Sequence, residues 1–144
     1  MRTLNYIKNN LLALVLMVGS ASQALAGSAA ALVAQGDQQW KAGQLVEAQD
    51  SFKAALAVES RSLEIHLKLA GLQLSNNDFA ASITTYQNAI SLDANNVRAW
   101  LGLGFSYLHT GKDSLAMAAF QEALRLDPDK KLALQPVLNK LQRP

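Results

Sequence analysis

The chain contains no cysteine. That excludes a disulfide framework, a thiolate zinc site and a cysteine nucleophile. It also excludes a lipid carried on a cysteine behind an export signal, because Gly27 is followed by Ser28. There are only two histidines, His66 and His109, and neither has ligand spacing with the other or with a carboxylate pair, so no metal site and no cofactor are expected. No glycine-rich phosphate loop and no G-x-S-x-G stretch is present, and without an assembled catalytic constellation no enzyme is expected. No apolar run reaches the roughly 18–20 residues that a membrane span requires. Even the basic balance is superficial. Thirteen Lys+Arg face eleven Asp+Glu, but Arg2 and Lys8 lie at the extreme amino terminus, and without them eleven face eleven. The isoelectric point of about 9.0 is therefore no footprint of nucleic acid or of an acidic membrane surface.

What the first 26 residues do contain is an ordered pattern. Arg2 and Lys8 form a positive segment, Leu11 to Val18 an apolar one, and Ala24-Leu25-Ala26 a small-x-small site. This predicts a secretory signal peptide over residues 1–26, cut after Ala26, and a mature chain that begins at Gly27. Export without disulfides or lipid implies a soluble periplasmic or secreted protein, with no stable membrane insertion once the signal is removed.

The remainder repeats every 34 residues. Gly43, Asn77 and Gly111 share one column; Ala48, Ser82 and Ala116 share another, as do Phe52, Tyr86 and Phe120, and Ala55, Ala89 and Ala123. Gly36, Ala70 and Gly104 obey the same interval. So many independent columns at one period indicate a repeat architecture. Each unit holds two segments with apolar or small residues at helical spacing, separated by the short breaks AGQ, NND and GKD. Glycine and asparagine there suit a helix C-cap in the left-handed region. Asp78 and Asp113 then stand where an N-cap oxygen would serve the next helix. Breaks this short make the two helices antiparallel neighbours.

Residues 97–130 resemble a tetratricopeptide repeat. Trp100-x2-Leu103-Gly104-x2-Tyr107, then Ala116, Phe120, Ala123 and Pro128, fill all eight signature places. Residues 63–96 form a looser copy and residues 29–62 a degenerate one. The resemblance implies an all-α fold, a right-handed α-solenoid of three helix-turn-helix repeats, with residues 131–144 as a C-terminal capping helix. Pro136 predicts that this last helix starts or kinks near it, since proline removes a backbone donor. In family register Gly104, Ala116 and Ala123 lie where the helices of a repeat approach, with Trp100, Tyr107 and Phe120 filling the space beside them and Trp100 buried between helices. Gly102 matches no signature place and leaves a helix surface open.

The resemblance also implies that the first helix of each repeat lines a concave face. Its columns read Val33, Leu67, Leu101; Asp37, Gly71, Phe105; and Trp40, Leu74, Leu108, flanked by Glu64, Lys68 and Arg98. Trp40 and Phe105 are the large anchors of this mostly apolar face, with Trp40 outside the core. Glu64, His66 and Lys68, two apart, fan around a helix, and His66 takes the packing column of Trp100 and Leu32. Chaperone-binding family members grip a terminal carboxylate with lysine, asparagine and arginine, but the corresponding places here hold Val33, Asp37 and Gly102. Two cations, Lys68 and Arg98, beside Asp37 and Glu64 make a poor carboxylate cradle. The expected function is therefore a non-enzymatic scaffold that binds an apolar or amphipathic segment of a protein or peptide partner in the groove and assists assembly of an envelope complex. The alternative is a homo-oligomer joined through the apolar face or the repeat ends.

Overall fold

A computed structural model describes residues 28–142; the expected signal peptide, residues 1–26, lies outside the described residues. The described chain is helical throughout: α1 (28–41), α2 (Leu45–Val58), α3 (Leu63–Ser75), α4 (Phe79–Leu92), α5 (Val97–His109), α6 (Asp113–Leu126), a 3-10 turn (Pro128–Lys130) and α7 (Lys131–Leu141). The helices pack in chain order, each on its sequence neighbour, and α3 also reaches α5 in the next repeat. This is an α-solenoid.

The turn inside each helix pair is the same structure repeated three times. Gly43, Asn77 and Gly111 have φ of 77°, 60° and 69°. Their amides donate to the carbonyls of Trp40, Leu74 and Leu108, and the following amides of Gln44, Asp78 and Lys112 donate to Gln39, Gln73 and Tyr107. These paired bonds close off carbonyls that the helix end leaves free, and they require one left-handed residue. Asn77 pays a modest steric penalty that glycine avoids. Asp78 caps α4 by accepting from the Ala81 amide at 3.4 Å. Asp113 does not cap α6: Lys112 occupies the cap position and Asp113 is the first helical residue, where its charge faces the positive end of the helix dipole.

The core explains the glycines. In the first repeat a Cβ on Gly36 would stand 2.7 Å from the Phe52 ring, and in the third a Cβ on Gly104 would stand 2.6 Å from the Phe120 ring. Each phenylalanine thus lies on bare backbone within its own repeat, and both are fully buried. The second repeat has Ala70 in this column, and its methyl occupies the space the ring would use. Tyr86 accordingly lies over Gly102 in the following repeat, where a Cβ would come within 2.0 Å of its Cζ. Gly102 is buried, which corrects the expectation of an open helix surface. Its helix-propensity cost is offset by the packing of a whole ring.

Other departures from the signature are filled by hydrogen bonds. Gln39 accepts from the Ser51 hydroxyl at 2.6 Å and Gln73 from the Thr85 hydroxyl at 2.7 Å, at places held by Tyr107 and Ala119 in the third repeat. His66, buried, has its Nε2 3.0 Å from the Ser60 carbonyl, and Trp100 donates its indole N–H to the Ala94 carbonyl at 2.8 Å. Both bonds span six residues, so the imidazole reproduces the polar contact of the indole at the same repeat position. His109 stacks on Phe79 with ring centroids 4.6 Å apart.

Trp100 itself is only partly buried, against the expectation of an indole enclosed between helices. At the carboxyl end, Leu134 and Leu138 of α7 cover Ala116 and Phe120, joined by Leu101, Tyr107 and Leu108. Helix α7 begins five residues before Pro136 and runs through it, so the proline does not set its start. The carbonyl deprived of a partner belongs to Leu132, whose side chain is 87% exposed, so water can serve it.

Candidate partner-binding groove

Residues 98, 102 and 105 lie on one side of α5 and residues 100, 103 and 107 on the opposite side, as 3.6 residues per turn requires. The first side closes a pocket of about 160 Å³ lined by Trp40 of α1, Leu67, Lys68 and Gly71 of α3, Tyr86 of α4 and Arg98 of α5. Three first helices therefore contribute to one site, and the expected groove residues Trp40, Leu67, Lys68 and Arg98 are brought together. Tyr86 comes from a second helix and was not foreseen in this role. Its detectable signal was the pairing of Ala70 in a column of glycines with an extra Gly102.

Gly71 lets this pocket form. A Cβ there would stand 3.4 Å from Trp40 Cη2 and 3.8 Å from the Tyr86 hydroxyl. Trp40 is partly buried, with its ring edge-on to Phe52 at 6.3 Å, so it belongs to the core as well as to the groove, and the expectation that it stands outside the core is corrected. Leu67 is 6% exposed and forms the floor. Burial pushes the Tyr86 phenol above its ordinary pKa range, and the positive charge of Arg98 partly offsets this. The hydroxyl keeps its proton at neutral pH.

The charges around the pocket are unequal. Lys68 Nζ lies 2.9 Å from both carboxylate oxygens of Asp37, and 3.9 Å from Glu64. Glu64 and Lys68 are four residues apart on α3 and do meet, which corrects the expectation that they fan apart; only His66 turns away into the core. Arg98 has no ion pair among the described residues. Asp37→Asn should change the melting midpoint little, because a half-exposed pair contributes at most about 1 kcal/mol. Thermal denaturation of the variant at low and at high salt checks this: a loss well beyond that figure at both would mean the pair anchors α1 to α3.

The other expected groove residues do not line this pocket. Val33 borders a second depression with Ala29, Ala30, Glu59, Ser62, Glu64 and Ile65. Leu74 packs on the central core. Leu101 and Leu108 pack against the cluster that α7 covers. Phe105 remains 36% exposed, its ring edge-on to Phe120 at 5.0 Å. On the opposite side of α5 a wider depression of about 510 Å³ runs between α4 and α6, with Trp100, Leu103, Tyr107 and Leu115 in its walls. Among the described residues no group of three or more histidines and carboxylates could hold a metal ion, and no helix is long and apolar enough to cross a membrane.

A family model described as the tetratricopeptide repeat matches residues 33–96 and again 67–131, well over half of the chain. The chain belongs to the tetratricopeptide repeat family. Superkiller protein 3 of Schizosaccharomyces pombe is 36% identical to it over 64 residues, which is 44% of this chain and only 5% of that protein. The first repeat domain of Spaghetti (RPAP3), bound to the HSP90 peptide SRMEEVD, superposes with a TM-score of 0.74 at 20% identity, covering 80% of this chain and 90% of that one. The Yersinia enterocolitica type III secretion chaperone SycD, in complex with a peptide of the translocator YopD, gives 0.71 at 17% identity, covering 77% and 89%. At these identities the two structures share the fold of this tetratricopeptide repeat protein.

Proposed function

We propose that this protein is an exported, non-enzymatic scaffold. It receives an apolar or amphipathic segment of a partner protein in its concave groove and thereby assists assembly of a complex in the bacterial envelope. The observation that carries this reading is the convergence of Trp40, Leu67, Gly71 and Tyr86 from three helices on one open pocket, with Phe105 exposed further along α5. Aromatic side chains held rigidly at the surface of a repeat scaffold are effective anchors for a partner. The peptides bound by the two structural neighbours support a peptide-binding role for the fold. The ordered pattern of residues 1–26 supports export. The ion pair between Lys68 and Asp37 leaves Arg98 as the only pocket cation without an ion pair among the described residues, which favours a segment that is mostly apolar.

Two measurements test the reading. The protein produced in a Gram-negative host should carry Gly27 as its amino terminus by mass spectrometry; recovery of the intact chain in the membrane fraction would overturn both the cleavage site and the soluble localisation. In the same host, a photo-crosslinking residue at Phe105 should trap a defined protein partner, and one at Leu115, on the opposite side, should not. Trapping from Leu115 alone would move the interface to the other face, and trapping only of further copies of this chain would make it a homo-oligomer.

A further inference from the structure

The pocket beside Trp40 contains a polar group with no partner. The Tyr86 side chain is 6% exposed, and its hydroxyl makes no hydrogen bond among the described residues. Its oxygen borders the pocket, so water or a ligand that enters the pocket can serve it. The oxygen lies beside Gly71, 3.8 Å from where a Cβ would stand, and Arg98 lines the same pocket. Arg98 is exposed and has no ion pair among the described residues. Two donors therefore converge on one small space. The Asp37 carboxylate is committed through both oxygens to Lys68, the other cation of the pocket wall. Glu64 lies on the outer rim with its side chain 74% exposed, so water screens its charge.

A group that enters this space meets a phenolic O–H and a guanidinium, with apolar surface from Trp40 and Leu67 around them. Those contacts suit an anionic acceptor carried on an otherwise apolar segment. We propose that the pocket anchors one acidic side chain, aspartate or glutamate, of the partner segment. Its carboxylate accepts from the Tyr86 hydroxyl and the Arg98 guanidinium while the flanking apolar residues lie on Trp40 and toward Phe105. This rests on the reading of the concave face as the partner site, and it specifies the register of the bound segment. It differs from a cradle for a terminal carboxylate, whose places here are taken by Val33, Asp37 and the Tyr86-covered Gly102.

The test uses peptides selected from a random twelve-residue display library on the immobilised full chain. Each is then synthesised as a C-terminal amide, so that a side chain carries its only carboxylate. The selected sequences should share an acidic residue between apolar ones. Replacing that residue by its amide should weaken binding to the unaltered protein at least tenfold, but less than twofold for the Arg98→Gln variant. Tyr86→Phe keeps the ring on Gly102 and should retain a native melting curve while binding the acidic peptide several-fold more weakly. Acid and amide forms that bind equally, with crosslinks still confined to the concave face, would overturn this inference and leave the groove reading intact. Selected peptides that never crosslink to the concave face would overturn both.

Discussion

Phe120→Ala is expected to destabilise the protein by about 3–5 kcal/mol, the range for truncating a fully buried aromatic side chain. The ring is completely buried, lies directly on the Gly104 backbone and holds the edge of Phe105 at 5.0 Å. Neighbours can collapse into a cavity only if they have side chains to move. One wall here is glycine backbone and another is Ala116, so most of the vacated volume should persist. The same ring joins Leu134 and Leu138 to the third repeat, so its loss also loosens the contact that holds α7. In a repeat protein stability is approximately a sum of repeat and interface contributions, so the effect should concentrate at the carboxyl end. A domain of this size has a total stability of about 5–15 kcal/mol, and the variant could retain little of it. Urea denaturation followed by circular dichroism checks the magnitude, and hydrogen exchange checks that α6 and α7 lose protection first. A change below about 1 kcal/mol would mean that the ring is not the keystone of the third repeat.

Gly102→Ala should also destabilise, although alanine is the better helix former by roughly 1 kcal/mol. On an exposed helix surface that preference would decide the sign. At Gly102 it does not, because the new Cβ would lie 2.0 Å from Tyr86 Cζ, 2.4 Å from Cε1 and 2.5 Å from Cε2. The ring must move by more than an ångström in a packed interior, at a cost of about 1–3 kcal/mol or more. A contact this close belongs at the upper end, so a net loss of about 1–2 kcal/mol is expected. The partner mutation identifies the cause: Tyr86→Ala should cost several kcal/mol on its own, but in its presence Gly102→Ala should become neutral or stabilising. Such coupling is what a double-mutant cycle measures for two groups in direct contact. Additive effects would show that the clash is absent and that Gly102 makes room for something other than Tyr86.

The 34-residue period, the helix pairs and the left-handed residues at Gly43, Asn77 and Gly111 were all legible in the sequence. Each depends on local chemistry: the 3.6-residue periodicity of apolar side chains and the few residue types that tolerate positive φ. The family register also brought Trp40, Leu67, Lys68 and Arg98 to one pocket, because a stack of similar repeats aligns equivalent positions from one unit to the next. The register was less reliable about depth. It placed Trp40 outside the core and Trp100 inside it, whereas both are partly buried on opposite sides of the stack.

Sequence alone thus determined the helical-repeat architecture of this protein, since that follows from periodicity and repetition, and it named four of the six residues that line the pocket, Trp40, Leu67, Lys68 and Arg98. The tertiary structure alone decided which ring lies on which glycine. Gly36 and Gly104 receive phenylalanines from their own repeats, but Ala70 adds a single methyl that displaces Tyr86 onto Gly102 of the next one. No column comparison shows this, because it depends on whether a ring and a Cβ can share the same few ångströms of space. The same displacement leaves the Tyr86 hydroxyl beside Gly71 and Arg98, and Arg98 has no ion pair among the described residues. The chemical character of the pocket is therefore a consequence of packing between residues 12 to 31 positions apart, beyond the reach of any local pattern.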